Sequence, residues 1–295
     1  MPCLLVLALL LSAGSVRSLP AQELVETIQT TADSLPVKGS LDWGRRSLTV
    51  YGEGVAPAGI TEPAQRRLMG YRAAQTVAYR NLLELAGEIQ IDAQTTVSMA
   101  MVADDSLRAR VQGLIRGARV VPGSKKETDG LYRVAVQLDL SSGFTDAVLP
   151  PAGVPAAQAP PADAPAHPYV PSRPFTGLVI DARGLDLRPS MAPRILSDDG
   201  QVIYSAGGVD RRYAAQMGVV GYDRDLERAG KSDRLGGAEA RPLVLRAQKA
   251  DGPYRADALL AREDGIRARM ADLEGHFLSQ CRVIFVLGPA PADGR

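Results

Sequence analysis

MGYRAAQTVAYRNLLELAGEIQIDAQTTV, Met69 to Val97, changes period within a few residues, and its reading decides the fold of the first half of the chain. Up to Gly87 the apolar residues recur at helical spacing. Leu68, Tyr71, Ala74, Ala78, Leu82 and Leu85 form one stripe, and the alanines in it predict close approach to a sheet. From Glu88 the period becomes two. Ile89, Ile91, Ala93 and Val97 alternate with Glu88, Gln90, Asp92 and Gln94, the pattern of a half-buried strand.

Working outward, SLTVYGEGVAP alternates as a strand that Gly52, Gly54 and Pro57 are expected to end. Thr61 is placed to cap the helix, with Glu62 and Pro63 in its first turn. A second helix is predicted from Asp104 to Arg116, carrying Leu107, Val111, Leu114 and Ile115. ARVV and LYRVAVQLDL then flank Asp129-Gly130, a pair that favours a tight hairpin. The expected order is β-α-β-α-β-β, an α+β sandwich over residues 47–143.

Ahead of it, AQELVETIQTTADSL reads as a short amphipathic helix with Leu24, Ile28 and Leu35 on one side, so residues 19–46 form an N-terminal helical segment. Residues 144–174 form a Pro/Ala-rich linker, densest from Leu149 to Pro174, too poor in apolar side chains to build a core. A second, mixed α/β domain is expected over 175–288, followed by a tail over 289–295. In it FTGLVIDARGL supplies a central strand, RILSDDGQVIY a hairpin turning at Asp199-Gly200, and PLVLRAQ a further strand. ADALLA, a helix with Ile266, Met270, Leu273 and Phe277 on one face, and RVIFVL predict a β-α-β crossover within one sheet.

The 295-residue chain carries 34 Lys plus Arg against 33 Asp plus Glu, a net charge of +1. Such balance, with scattered arginines, provides no field for nucleic acid or an anionic membrane. MPCLLVLALLLSAGSVRS reads as a secretory signal over residues 1–18, with cleavage after Ser18 or Ala21 equally compatible with the small-residue rule. Its apolar run is too short to span a bilayer, and no later segment is long and apolar enough to do so. Ser15 stands where a lipoprotein signal needs cysteine, which excludes a thioether anchor there. The mature protein is therefore expected in the periplasm or outside the cell. Removal of the signal takes Cys3 with it, leaving Cys281 in a setting that suits a buried small hydrophobe.

Few residues suggest chemistry. AGKSD at 229–233 contains the Gly-Lys-Ser of a phosphate loop, but Asp225 stands where that loop requires glycine. His167 lies in the linker and His276 at a helix end, so no metal cluster or Cys–His nucleophile is assembled, and no catalytic residue, metal or cofactor is expected. Arg72, Arg80 and Glu84 read as a solvated helix face, with Arg80 and Glu84 spaced for an ion pair. Asp181, Arg183 and Asp186 follow the central strand, a place where sites occur. They are the candidate ligand or partner contacts, although Asp-x-Arg-Gly also serves as a turn with its own ion pair.

VYGEGVAP, RRLMGYRAAQTVAYRNLLELAGEIQIDAQTTV and RARVQGLIRGARVV with its closing hairpin resemble the LPP20-type bacterial envelope lipoprotein family. That family includes a Helicobacter surface lipoprotein and the flagellar basal-disk lipoprotein, and it is similar to the N-terminal domain of flagellar assembly protein T. The resemblance covers about Ser47 to Leu140 and is most specific from Arg72 to Glu84. TGLVIDARGL with RPSMAPRILSDDGQVIY resembles a second module often found behind it. The resemblance implies envelope association without catalysis, and assembly with envelope or flagellar proteins through self-association. The resulting expectation is an exported, non-enzymatic scaffold or assembly protein. The alternative is a periplasmic module that binds a glycan or small anion with its second domain.

Overall fold

The computed structural model of the chain describes residues 24–29, 38–149 and 173–288. The segment read as a signal, with Cys3 and Ser15, most of the expected linker with His167, and the tail lie outside the described residues. The architecture is α+β, an N-terminal sheet domain followed by a mixed domain.

The first domain comprises β1 (Val25–Gln29), β2 (Lys38–Asp42), β3 (Ser47–Val55), α1 (Pro63–Gly87), α2 (Val97–Ala103), α3 (Asp105–Arg116), β4 (Arg119–Val120), β5 (Lys126–Thr128), β6 (Leu131–Asp139) and α4 (Gly143–Val148). Its six-stranded sheet has the order β1-β2-β3-β6-β4, with β5 also on β6. Every pairing in it is antiparallel. Helix α1 lies across β3 and β6. Ala74, Ala78, Leu82 and Leu85 are fully buried as the stripe predicts, while Leu68 at its start is exposed. Each buried leucine contributes about 2 kcal/mol of transfer free energy.

Gly52 and Gly54 do not end β3. They are where α1 crosses it: a Cβ on Gly52 would lie 2.2 Å from both Ala74 O and Ala78 N. The glycines and alanines together let the helix and sheet backbones approach. The helix cap is Glu62 rather than Thr61, with Pro63 in the first turn. Helix α3 begins one residue later than the expected Asp104, which is its cap and accepts from Ser106 N (2.8 Å) and Leu107 N (3.2 Å). Asp129 (φ 51°) and Gly130 (φ 78°) make the tight turn between β5 and β6.

Three expectations for this domain need correction. The segment read as an N-terminal helix contains β1, which pairs with β2 in the register Val25↔Asp42 to Gln29↔Lys38 and extends the sheet. Val25, Thr27 and Ile28 are β-branched and prefer that state once a partner edge is present. The domain therefore begins before residue 47. At its other end, Phe144, Thr145, Ala147 and Val148 are buried in α4, so 144–149 belong to the domain and not to the linker.

The third correction concerns residues 88–97. Their alternation in burial holds, with Ile89, Ile91, Ala93 and Val97 buried, yet they form no strand of the sheet. Apart from one bridge between Gln90 and Thr96, the segment is a loop turned by Asp92, whose carboxylate accepts from Gln94 N (2.8 Å) and Thr95 N (2.9 Å). Its main chain bonds the second domain instead. Met191 N donates to Gln90 O (2.9 Å), Ala192 N to Ile91 O (2.7 Å) and Tyr254 N to Ala93 O (3.0 Å).

The second domain comprises β7 (Gly177–Asp181), β8 (Ile195–Ser197), β9 (Val202–Tyr204), α5 (Arg211–Met217), β10 (Gly221–Asp223), α6 (Leu226–Gly230), β11 (Pro242–Arg246), β12 (Lys249–Asp251), β13 (Asp257–Leu260), α7 (Arg262–Gly275) and β14 (Val283–Val286). Strand β7 is buried throughout, as its apolar run predicts. It sits inside the parallel sheet β10-β14-β7-β11. The hairpin at Asp199-Gly200 joins β8 to β9 within a separate sheet, β12-β13-β8-β9.

Strands β13 and β14 therefore lie in different sheets, and α7 links the two instead of crossing over within one. Its predicted face is also displaced. Gly265, Ala268 and Arg269 are buried, whereas Met270 and Leu273 are 42% and 56% exposed. Arg269 Nη1 donates to Gln201 Oε1 (2.8 Å) and Nη2 to Val202 O (2.9 Å), so a guanidinium fastens the helix to β9. Phe277 is fully buried, but it lies past the helix end, where His276 takes a left-handed conformation (φ 46°).

The two domains share one continuous cluster of buried apolar side chains. Polar contacts close the seam further. Ser142 N donates to Ala215 O (2.8 Å), and Arg46 reaches from the first domain to Gln216 O at the end of α5. Within the second domain, half-buried Arg234 braces the same end of α5, donating to Gly218 O (3.2 Å), Cys281 O (2.6 Å) and Met217 O. Burial lowers the pKa of both guanidinium groups; the charge of Asp139 opposes the shift at Arg46, and carbonyls, among them those at the end of α5, accept from both.

Candidate functional site

Asp181 ends β7 at the carboxyl edge of a parallel sheet, where α/β proteins commonly place ligands. The residue is buried and its carboxylate is already occupied. Oδ1 accepts from Arg183 N (3.1 Å) and Nε (2.8 Å), Oδ2 accepts from Arg183 Nη2 (2.8 Å), and Arg246 Nη1 lies 3.8 Å away. The Arg183 hydrogen bonds hold its pKa below the ordinary aspartate range against the opposing effect of burial. Gly184 (φ 83°) completes the turn.

Asp186 belongs elsewhere. Its carboxylate is exposed and pairs with Arg255 Nε at 3.3 Å, and Arg255 also donates to the Asp186 carbonyl (3.0 Å). Asp186 borders a cleft that neither Asp181 nor Arg183 lines. The three candidates form two separate ion pairs rather than one constellation.

The other candidate chemistry resolves into packing. Tyr79 donates its hydroxyl to Ala118 O (2.9 Å), while Tyr71 packs edge-on against Tyr132 at 5.0 Å between ring centroids. Arg72, Arg80 and Glu84 are exposed on α1. Within AGKSD, Ser232 caps a short turn by accepting from Arg234 N (3.3 Å), and Lys231 pairs with Glu227 (2.6 Å). Cys281 is buried, and desolvation pushes its thiol up to about 11. His276 is exposed. Among the described residues no group of three or more His, Cys, Asp or Glu is placed to hold a metal ion.

The cleft beside Asp186 has a volume of about 450 Å³ and lies between the domains. The β1–β2 ribbon and the residues just after α1 form one side, and residues 185–189 with Arg224 and Leu287 form the other. Inter-strand register places Glu26 opposite Leu41, and both line this space together with Val25, Thr27 and Ile28. Trp43, the only tryptophan, donates from Nε1 to Glu26 Oε2 (3.2 Å) and packs edge-on against Tyr222 at 5.7 Å. The Tyr222 hydroxyl in turn bonds both Ser190 N (2.9 Å) and Ser190 O (3.0 Å), which fixes the wall across the seam. Burial raises the Glu26 pKa, with the Trp43 hydrogen bond and the charges of Arg224 and Arg188 opposing it.

Sequence reasoning missed Glu26, Trp43, Arg188 and Arg224. The lone tryptophan in LDWGRR was the available signal. Assignment of Val25–Gln29 to a helix concealed the face on which Glu26 lies.

Residues 177–289 match a family model described as the second domain of Treponema pallidum Tp0624, so the similarity covers the second domain of this chain. No curated protein matches the chain.

Proposed function

We propose that the protein is an exported, non-enzymatic envelope scaffold that acts by docking, with copies of itself and with flagellar or other envelope proteins as its partners. The observation that carries this reading is the seam. Main-chain hydrogen bonds accepted by Gln90, Ile91 and Ala93 and donated by Ser142, with a shared apolar core, join the domains, so a partner meets one body with fixed surfaces. Such a joint suits assembly better than capture by domain closure, which needs a hinge whose contacts exchange. Among the described residues no helix is long and apolar enough to cross a membrane, which accords with a role on the water side of the envelope.

Multi-angle light scattering of the mature protein, with fractionation of cells producing it, tests the proposal. Self-association or recovery with envelope proteins supports it, whereas a strict monomer found free of the envelope defeats it. The interdomain cleft favours a second reading, a small-ligand module. It draws on both domains, and of the candidates Asp181, Arg183 and Asp186 in the second domain only Asp186 borders it.

A further inference from the structure

The cleft between the domains has features that docking does not require. Its volume of about 450 Å³ suits a small organic molecule and exceeds what a single ion needs. Its walls are held by the seam, so it exists before any ligand arrives. Apolar side chains, including Ile28, Leu187 and Leu287, make up much of the lining.

The charges are balanced. Glu26 and Glu88 stand against Arg188 and Arg224, while Asp186 is neutralised by Arg255. A lone anion or cation therefore finds no net attraction, whereas a molecule carrying both signs can satisfy each wall. Two groups are ready for it. Glu26 is half-buried, and among the described residues its only hydrogen-bond donor is Trp43, on Oε2, which leaves Oε1 open. The Arg188 guanidinium is exposed and makes no hydrogen bond or close ion pair among the described residues. Arg224 is more constrained, donating from Nη1 to Gly288 O (2.6 Å). Gln90, another lining residue, has a buried Oε1 without a hydrogen-bond partner. A glycan is a poorer match, because the Trp43 ring is already packed on Tyr222 and is only 8% exposed.

We infer that this cleft binds a small zwitterion, a free α-amino acid or a peptide of two or three residues, whose ammonium meets Glu26 and whose carboxylate meets Arg188. Both contacts are charge-assisted hydrogen bonds, the Arg188 contact with the two-pronged geometry that guanidinium offers a carboxylate. The site holds whether or not the protein self-associates, so it goes beyond the scaffold reading.

Isothermal titration calorimetry of the full mature chain tests it, with leucine, alanyl-leucine and alanyl-alanyl-leucine as probes and their N-acetylated and C-amidated forms as controls. The expected result is saturable binding of at least one free probe, weakened roughly tenfold or more by blocking either terminus. Arg188→Ala, at an exposed side chain that leaves the fold intact by thermal melting, should weaken the free probe to the level of its amide and leave the amide unchanged. Glu26→Gln, which keeps an acceptor for Trp43, should do the same for the N-acetylated form. Absence of saturable binding by every free probe, equal binding of free and blocked forms, or Arg188→Ala binding like wild type would each overturn the inference.

Discussion

Helices α1 and α7 both lie against a sheet and both carry an apolar stripe at helical spacing, but they meet their sheets differently. In α1 the stripe and the small residues coincide: Ala74 and Ala78 sit in the same row as Leu82 and Leu85. In α7 they are separated. Gly265 and Ala268 face inward with Arg269, and Met270 and Leu273 are left outside. Close backbone approach selects the face with the least side-chain volume, because interiors are packed to crystal-like density. Where that face is also apolar, periodicity finds it. Where it is small and polar, a guanidinium can replace the missing apolar contacts, as Arg269 does on β9.

The contrast can be broken at its tightest point first. Gly52→Ala places a Cβ against the backbone of α1, which cannot yield locally, and should cost about 3 kcal/mol in urea unfolding. A loss well under 1 kcal/mol would mean the helix sits farther from β3. Next comes the polar fastening of the second domain. Asp257, fully buried, accepts from Arg194 N and Nε, both at 2.8 Å, and pairs with Nη2 at 2.6 Å. Asp257→Asn leaves the Arg194 charge uncompensated and should cost about 2 kcal/mol by the same measurement.

Asp181 yields a smaller, pH-dependent effect. Its folded pKa is depressed, chiefly by Arg183, so its contribution is present above the unfolded value of about 3.9 and is lost as pH falls through the folded one. Wild-type thermal stability should therefore fall more steeply with acid below about pH 4 than that of Asp181→Asn. Parallel curves would show that the Arg183 pair is inert.

Gly265→Ala sharpens the comparison with Gly52. Here the new Cβ meets only side-chain atoms, Ile203 Cδ1 at 3.0 Å and Ser197 Cβ at 3.1 Å. A helix-propensity gain of about 1 kcal/mol offsets the crowding, so the melting temperature should change little. The smallest effect belongs to Leu273→Ser, expected to alter stability by no more than about 0.5 kcal/mol because the side chain is already exposed. A larger loss would place α7's stripe in a contact and close the gap with α1.

Much of the first domain was legible. The alanine row of α1, the helix start near Asp104 and the turn at Asp129-Gly130, like the turn at Asp199-Gly200 in the second domain, follow from short-range sterics and hydrogen bonding that any window of a few residues contains. The candidate site was legible only in part. Asp181 and Arg183 were recognisable as a turn with its own ion pair, but their separation from Asp186 was not. The cleft draws on residues 25–28, 41, 43, 88–90, 185–189, 224 and 287–288, which become neighbours only when the two domains meet.

By itself the amino-acid sequence determined an α+β chain in two parts, which segments bury alternate residues, and where the chain must turn. Tertiary structure decided that Val25–Gln29 extends a sheet, that Glu88–Val97 bonds across the seam, and that β13 and β14 belong to different sheets. The physical reason is range. Periodicity and turn chemistry act over a few residues, but a backbone edge or a helix face commits only to the partner that distant chain brings against it.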